Sequence, residues 1–178
     1  MDSVLVKKAI AGDSEALSTL IDKYKDNAYN LAISIVKDKE SAKDITQDSF
    51  LKVLENINRY KNESKFSTWL YRIVYNESLQ YIKKIQKVSM TDIESAKIEN
   101  YSDGILTTED RYLDLDMYQA IEKLDKNERN IILLFYLAEK SIREINIITG
   151  LSFPNIKVIL HRSRKKLYEN LKLEYERI

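Results

Sequence analysis

The only proline of this chain and one of its three glycines stand four residues apart, at Pro154 and Gly150, inside a stretch that is otherwise helical in pattern. The stretch runs from Ser141 to Leu167, SIREINIITGLSFPNIKVILHRSRKKL, and reads as two helices joined by a tight turn. Ser141 suits the cap of a helix carrying Ile142, Ile145 and Ile148 on one face. Gly150 gives the backbone the freedom a sharp reversal needs, and Ser152 can cap the next helix. Pro154 falls in that helix's first turn, where its missing N–H costs nothing. Ile156, Ile159 or Leu160, and Leu167 continue an inward face, while Lys157, Arg162, Arg164, Lys165 and Lys166 project outward. A helix-turn-helix delivering a basic helix is a form in which proteins enter the DNA major groove. A helical hairpin with a solvated basic face is the alternative.

The remaining composition agrees with an all-α chain. In 178 residues there is room for one large or two small domains, and Leu, Ile, Lys, Glu and Tyr dominate over turn formers. With no cysteine, disulfides, thiolate zinc sites and thiol nucleophiles are excluded. His161 is the single histidine, so no histidine-based metal site is expected. P-loop, HExxH, GxSxG and glycine-rich dinucleotide motifs are absent, and neither an enzyme nor a cofactor is expected. The start, MDSVLVKKAI, lacks a cationic segment followed by a long apolar one, and no apolar run approaches a membrane span. The expected location is the cytoplasm.

A net charge of +1 conceals segregation. From Arg59 to Lys87 seven cations face only Glu63 and Glu77. From Val88 to Asp116 eight acids face Lys97 and Arg111, and from Leu151 to Lys172 six cations face Glu169 alone. Two basic blocks flanking an acidic one predict two nucleic-acid surfaces on a flexible connection.

Hydrophobic periodicity divides the chain in the same places. A short helix is predicted over about Ser3 to Ala11. A second, capped by Asp13 or Ser14, runs to Val36 with Leu17, Leu20, Ile21, Tyr24, Ala28, Leu31 and Ile35 along one stripe. Ser41 is expected to cap a third, to about Ile57, facing inward with Ile45, Phe50, Val53, Leu54 and Ile57. After a polar stretch (NRYKNESK), Ser64 or Ser67 begins a fourth, which fades into Lys83 and Lys84. These four form an N-terminal bundle over residues 1–87. Residues 88–109 lose the periodicity and read as an acidic linker, disordered in isolation. Residues 110–178 form a second domain: helical patterning resumes at Asp110, and a further helix over Asn127 to Ala138 packs on the helix-turn-helix.

Two further motifs bear on function. In the third helix Asp44, Gln47 and Asp48 recur at spacings of three and four, which puts them on one exposed face. They make a charged docking surface or, alternatively, a merely solvated face; nothing nearby supplies a catalytic pocket. In the fourth, FSTWLYRIVYN is flanked by Tyr60 and Tyr81, so aromatics (Tyr60, Phe66, Trp69, Tyr71, Tyr75, Tyr81) interleave with cations. Such surfaces hold unstacked bases, since aromatic faces accept any base and cations hold the backbone. Helical bundles also bury aromatics routinely; Phe66 and Ile73 are expected in the core, and Trp69 suits either role.

Together, KDITQDSFLKVLENINRY, FSTWLYRIVYN and IREINIITGLS…IKVILHRSRKKL resemble regions 2 and 4 of bacterial sigma factors of the extracytoplasmic-function group, in the family's order and spacing over nearly the whole chain. The resemblance implies a two-domain RNA polymerase subunit that confers promoter specificity. It implies that Asp44, Gln47 and Asp48 dock on the β and β′ subunits of core polymerase. It assigns the melting and reading of the −10 element to Arg59, Lys61, Asn62, Lys65, Trp69, Arg72, Asn76, Lys83 and Lys84, with Asn76 at the edge of a pocket for a flipped base. It assigns the −35 element to Ser141, Phe153, Asn155, Lys157, His161, Arg162, Arg164 and Lys165. An anti-sigma factor, membrane-associated and able to hold the chain near the membrane, is the implied inhibitor. The recognition helix departs from the family: a Gly-Thr-Val-Lys-Ser-Arg-like stretch is replaced by Pro154-Asn155-Ile156-Lys157-Val158-Ile159. Two competing readings are a helix-turn-helix regulator that never enters polymerase and a helical adaptor without a nucleic-acid role. Asp44, Gln47, Asp48 and the aromatic helix discriminate, since a simple operator-binding regulator does not need them.

Overall fold

The first long helix begins where Asp13, in extended backbone, accepts hydrogen bonds from the N–H groups of Glu15 and Ala16, both at 3.0 Å. The structure, a computed structural model, describes residues 2–91 and 115–175. Its described residues divide between two compact units, Met1–Gly104 and Ile105–Ile178.

In the first unit, α1 (Asp2–Ile10), α2 (Ser14–Val36), α3 (Lys39–Asn56) and α4 (Phe66–Thr91) form a bundle in which α2 packs against the other three and α3 against α4. Leu20, Ala28, Leu70, Tyr71 and Val74 are almost wholly buried at its centre. Burying one such large apolar side chain contributes about 1.5–3 kcal/mol, so packing holds the bundle. Burial pushes the Tyr71 hydroxyl up to about 12. Asp2 pins α1 to α2 by accepting from Lys23 Nζ at 2.5 Å and from the Tyr24 hydroxyl.

The third helix starts earlier than its sequence indicates. Its cap is Asp38, not Ser41: the Asp38 carboxylate accepts from the Ser41 N–H at 2.8 Å and the Ser41 hydroxyl at 2.5 Å. Lys37, at φ 61°, ends α2 in the left-handed region, so a two-residue turn separates the helices. The helix then tightens into a 3-10 turn over Ile57–Arg59. Leu54 is 37% exposed rather than inward, because a step of about 100° per residue carries it off the face buried by Val53. The fourth helix starts at Phe66, between the two serines, where the Lys65 carbonyl accepts from Thr68 and Trp69 N–H. It continues to Thr91, so residues 88–91 are helix rather than linker. The rest of the expected linker, and residues 110–114, lie outside the described residues.

In the second unit α8 (Phe153–Tyr175) packs on α5 (Leu115–Glu122), α6 (Lys126–Ile132) and α7 (Ile142–Thr149). The buried Arg129 holds the end of α5 by donating to the carbonyls of Ile121, Glu122 and Leu124 at 3.2, 2.5 and 3.0 Å. The helix expected to reach Ala138 stays α-helical only to Ile132, then widens to a π-turn over Leu133–Leu137. Ser141 and Glu144 form a capping box at the start of α7. Gly150 closes the helix at φ 74°, a conformation that a Cβ would strain. Ile145, Ile148, Ile156 and Leu160 are buried where α7 meets α8, as their spacing indicates.

Candidate nucleic-acid and partner interfaces

On α3 the side chains of Asp44, Gln47 and Asp48 are exposed, backed by buried Ala42, Ile45, Thr46 and Ser49. The same face continues through Leu51, 55% exposed, to Leu54. Two carboxylates and an amide beside two uncovered leucines form a mixed polar and apolar surface on a rigid support. Such a surface suits a basic partner with an apolar centre better than water alone. Leu51 was not singled out in the sequence; its spacing from Asp44, Gln47 and Asp48 was the available signal for its membership.

Between α3 and α4 lies a cleft of about 380 Å³, lined by Lys52, Asn56, Arg59, Trp69, Ile73, Asn76, Glu77 and Gln80. Trp69, Ile73, Asn76 and Gln80 recur every three or four residues of α4 and form one wall; exposed Lys83 and Lys84 continue the stripe. The other wall comes from the end of α3 and the 3-10 turn. An ion pair, Lys52 Nζ to Glu77 at 2.5 Å, crosses it. Trp69 is half-buried, with Tyr60 and Phe66 centred 5.1 and 6.0 Å away. Thus Arg59, Trp69 and Asn76 come together at a concave site. Lys61, Asn62 and Lys65 are exposed on the connecting loop and do not line it. Arg72 is exposed on α4 outside the lining.

The aromatic run is mostly core. Phe66, Tyr71 and Tyr75 are 3%, 1% and 7% exposed, which removes them as stacking platforms. Tyr60 is partly covered and its hydroxyl donates to the Ser64 carbonyl, closing the loop in which Asn62 sits at φ 57°. Tyr81 is hydrogen-bonded to the Ser41 hydroxyl. Trp69 is the member of the run that reaches the cleft. Lys52, Asn56, Glu77 and Gln80 were missed as site residues, since only the crossing of α3 and α4 makes them neighbours.

On α8 the exposed side is formed by Phe153, Asn155, Lys157, Val158, His161, Arg162, Arg164 and Lys165, opposite buried Ile156, Leu160 and Ser163. Phe153 and Val158 are 45% and 46% exposed, an apolar component among the cations. Ser141 is exposed but serves the cap: its hydroxyl donates to Glu144 at 2.7 Å and accepts from the Glu144 N–H at 3.3 Å. Lys166 is held by Asp125 at 3.1 Å and Glu128 at 2.8 Å. Those hydrogen bonds raise its ammonium above the ordinary lysine range and set it apart from the outward cations. Arg164 donates from Nε to the Tyr136 hydroxyl at 2.8 Å.

Both units match one family. Residues 20–88 match sigma-70 region 2, and residues 114–167 match sigma-70 region 4. The ECF RNA polymerase sigma factor SigW of Bacillus subtilis (strain 168) is 33% identical over 178 residues, 94% of this chain and 95% of that one. The chain belongs to the extracytoplasmic-function group of sigma-70 factors. RNA polymerase sigma factor SigV of the same strain is 32% identical over 149 residues, covering 84% of this chain and 87% of its own length. Among solved structures, the sigma factor RpoE of Bartonella quintana, in complex with the anti-sigma factor NepR, superposes with a TM-score of 0.73. It is 25% identical over 87% of this chain and 96% of that one. CnrH, solved with the cytosolic domain of CnrY, shares the fold at a TM-score of 0.68 and 20% identity, over 97% of both chains. Region 2 therefore contains the α3 face and the cleft, and region 4 the exposed side of α8. Among the described residues no helix is long and apolar enough to cross a membrane.

Proposed function

We propose that this sigma factor docks on core RNA polymerase through α3, takes an unpaired −10 base into the α3–α4 cleft, and reads the −35 duplex with α8. The observation that carries this reading is the cleft itself. A regulator that binds only duplex DNA has no use for a cavity of about 380 Å³ walled by an indole, an amide and a guanidinium, one helix face away from an acidic docking surface. Flipping a base costs a few kcal/mol, which stacking on Trp69 and hydrogen bonds from Asn76 offset. Arg59 holds the adjoining backbone, while Lys61, Asn62, Lys65, Arg72, Lys83 and Lys84 attract the strand around the cleft. On α8, Asn155 and Lys157 reach base edges, Phe153 and Val158 supply apolar contact, and His161, Arg162, Arg164 and Lys165 track phosphates. Ser141 aligns α7 as its cap.

The factor acts by binding rather than by catalysis, in the cytoplasm, and an anti-sigma factor controls it by covering these surfaces; one of the matching structures is of a sigma factor bound to such a partner. A membrane-associated partner would hold the chain near the membrane. The test is initiation in vitro. Purified chain and core polymerase are expected to give a defined start site on promoters selected from a randomised duplex pool. Permanganate-reactive thymines should appear upstream of that start. A chain that footprints duplex DNA tightly alone and does not assemble with core would instead be an operator-binding regulator.

A further inference from the structure

Two cations separated by one residue on α8 are held in opposite ways. Lys166 is met by two carboxylates, Asp125 and Glu128, which balance its charge within the fold. Arg164 is met by aromatic rings. Its guanidinium carbon lies 5.4 Å from the centre of the Phe135 ring and 5.6 Å from that of Tyr136, and its Nε donates to the Tyr136 hydroxyl. No ion pair among the described residues involves Arg164. Ring faces attract a guanidinium without neutralising it. The π-turn over Leu133–Leu137 makes this cradle: Leu133 and Leu134 stay buried while the next two side chains emerge as a pair of rings 5.0 Å apart.

We propose that Tyr136 is a positioning residue for DNA binding: its hydroxyl and ring fix the still-charged Arg164 guanidinium so that its remaining N–H groups meet a phosphate beside the groove entered by α8. Arg164 shares a stripe with Lys157 and His161, seven and three residues earlier, so the held guanidinium lies along the DNA-facing side. Only Nε is taken by the tyrosine, which leaves both Nη groups as donors for a bidentate contact. Tyr136 is 51% exposed, so its hydroxyl serves no core. A flexible arginine loses rotamer freedom when it meets a phosphate; one already held loses less.

This inference rests on region 4 binding the upstream duplex, and the test separates the two. The full chain bound to core polymerase is titrated, across a salt series, with a labelled duplex selected from a random pool by the same complex. Arg164→Ala should make the slope of log affinity against log salt shallower by about 0.9. Tyr136→Phe, which keeps the ring, should weaken binding about threefold to tenfold. Added to Arg164→Ala it should weaken nothing further, because the residue it positions is gone. Tyr136→Glu should reproduce the shallower slope by placing a carboxylate against the guanidinium. If Arg164→Ala changes slope while Tyr136→Phe binds as the parent does, or adds its full effect to Arg164→Ala, the positioning role is overturned and the phosphate contact stands. If Arg164→Ala leaves the slope intact, the phosphate contact falls and the proposal with it.

Discussion

The two surfaces proposed to meet DNA differ in curvature, and the difference matches what each is proposed to bind. Region 2 offers a hollow between α3 and α4, with Trp69 and Asn76 on one wall and the Lys52–Glu77 ion pair spanning the gap. Region 4 offers a ridge, with Ile156, Leu160 and Ser163 buried beneath α8 and the opposite side uncovered. A base leaving the stack needs a protein cavity; a duplex offers its own groove and needs a protruding helix. The hollow depends on long-range packing, whereas the ridge depends on caps and a turn. Mutations should therefore divide the two surfaces by mechanism.

The largest effect is expected on the α3 face proposed to dock on core polymerase. Asp44→Ala with Asp48→Ala should abolish assembly with core polymerase, by about a hundredfold or more, because a desolvated charge pair at an interface centre is costly to break. Both carboxylates are exposed, so circular dichroism should not change. Leu51→Ala should weaken assembly less. Normal co-purification of the double variant with core would detach α3 from the docking role and leave the hollow and the ridge as the chain's only claims to function.

Next comes the hollow alone. Asn76→Ala and Trp69→Ala should each slow open-complex formation on duplex promoters about tenfold, the share expected of one stacked or hydrogen-bonded base. On templates already unpaired at the −10 element the loss should shrink, since the unpairing cost has been removed. Permanganate reactivity on the two templates reads the difference. Equal behaviour of Asn76→Ala and parent on duplex DNA would show that the cleft does not receive the base.

The contrast between hollow and ridge also decided what could be read in the sequence. The helix-turn-helix was legible because local chemistry specifies it: Ser141 and Glu144 cap, Gly150 turns, and isoleucines recur with the helical period. The fold class followed from such periodic segments, whereas the family came from the resemblance of three motifs taken together, in their order and spacing. The cleft was legible only as a composition, aromatic and basic, because its walls are brought together by tertiary packing. Thus Tyr71 and Tyr75, indistinguishable by type from Tyr60, turned out to be core. The Asp38 cap was hidden by a turn of two residues, too short to interrupt the pattern. Leu54 was misplaced because a step of about 100° per residue carries it off the face that Val53 buries, which its apolar type alone does not reveal. The pairing of Lys166 with Asp125 and Glu128 spans some forty residues and leaves no local sign.

That pairing gives a smaller but sharper test of the ridge. Arg162→Ala should weaken duplex binding across sequences and make the salt slope shallower by about 0.9. Lys166→Met should leave the slope unchanged and lower the melting temperature instead, because its partners lie within the fold. A salt slope that responds equally to both would mean that the basic side of α8 acts as an undivided charge and that its ion pairs do not select which cations reach DNA.

The smallest effect concerns the frame of the hollow. The Ser41 hydroxyl joins the Asp38 carboxylate at the start of α3 to the Tyr81 hydroxyl on α4, so one cap ties together the helices that wall the cleft. Asp38→Ala should cost about 1 kcal/mol, the usual worth of such a cap. Hydrogen bonds from the Ser41 hydroxyl and backbone hold the Asp38 carboxyl below its ordinary range. A depressed carboxylate stabilises the fold fully above its unfolded-state value, about 3.9, and loses that contribution as the pH falls through its lower folded value. The difference in urea stability between parent and Asp38→Ala should therefore be constant from neutral pH down to about 5 and close only below about 4. Arg162→Ala should show no such closure, since its effect is on DNA and not on folding. A gap that does not narrow at all as the pH falls below about 4 would mean that Asp38 supports α3 by its geometry alone, with its charge contributing nothing to the frame around the cleft.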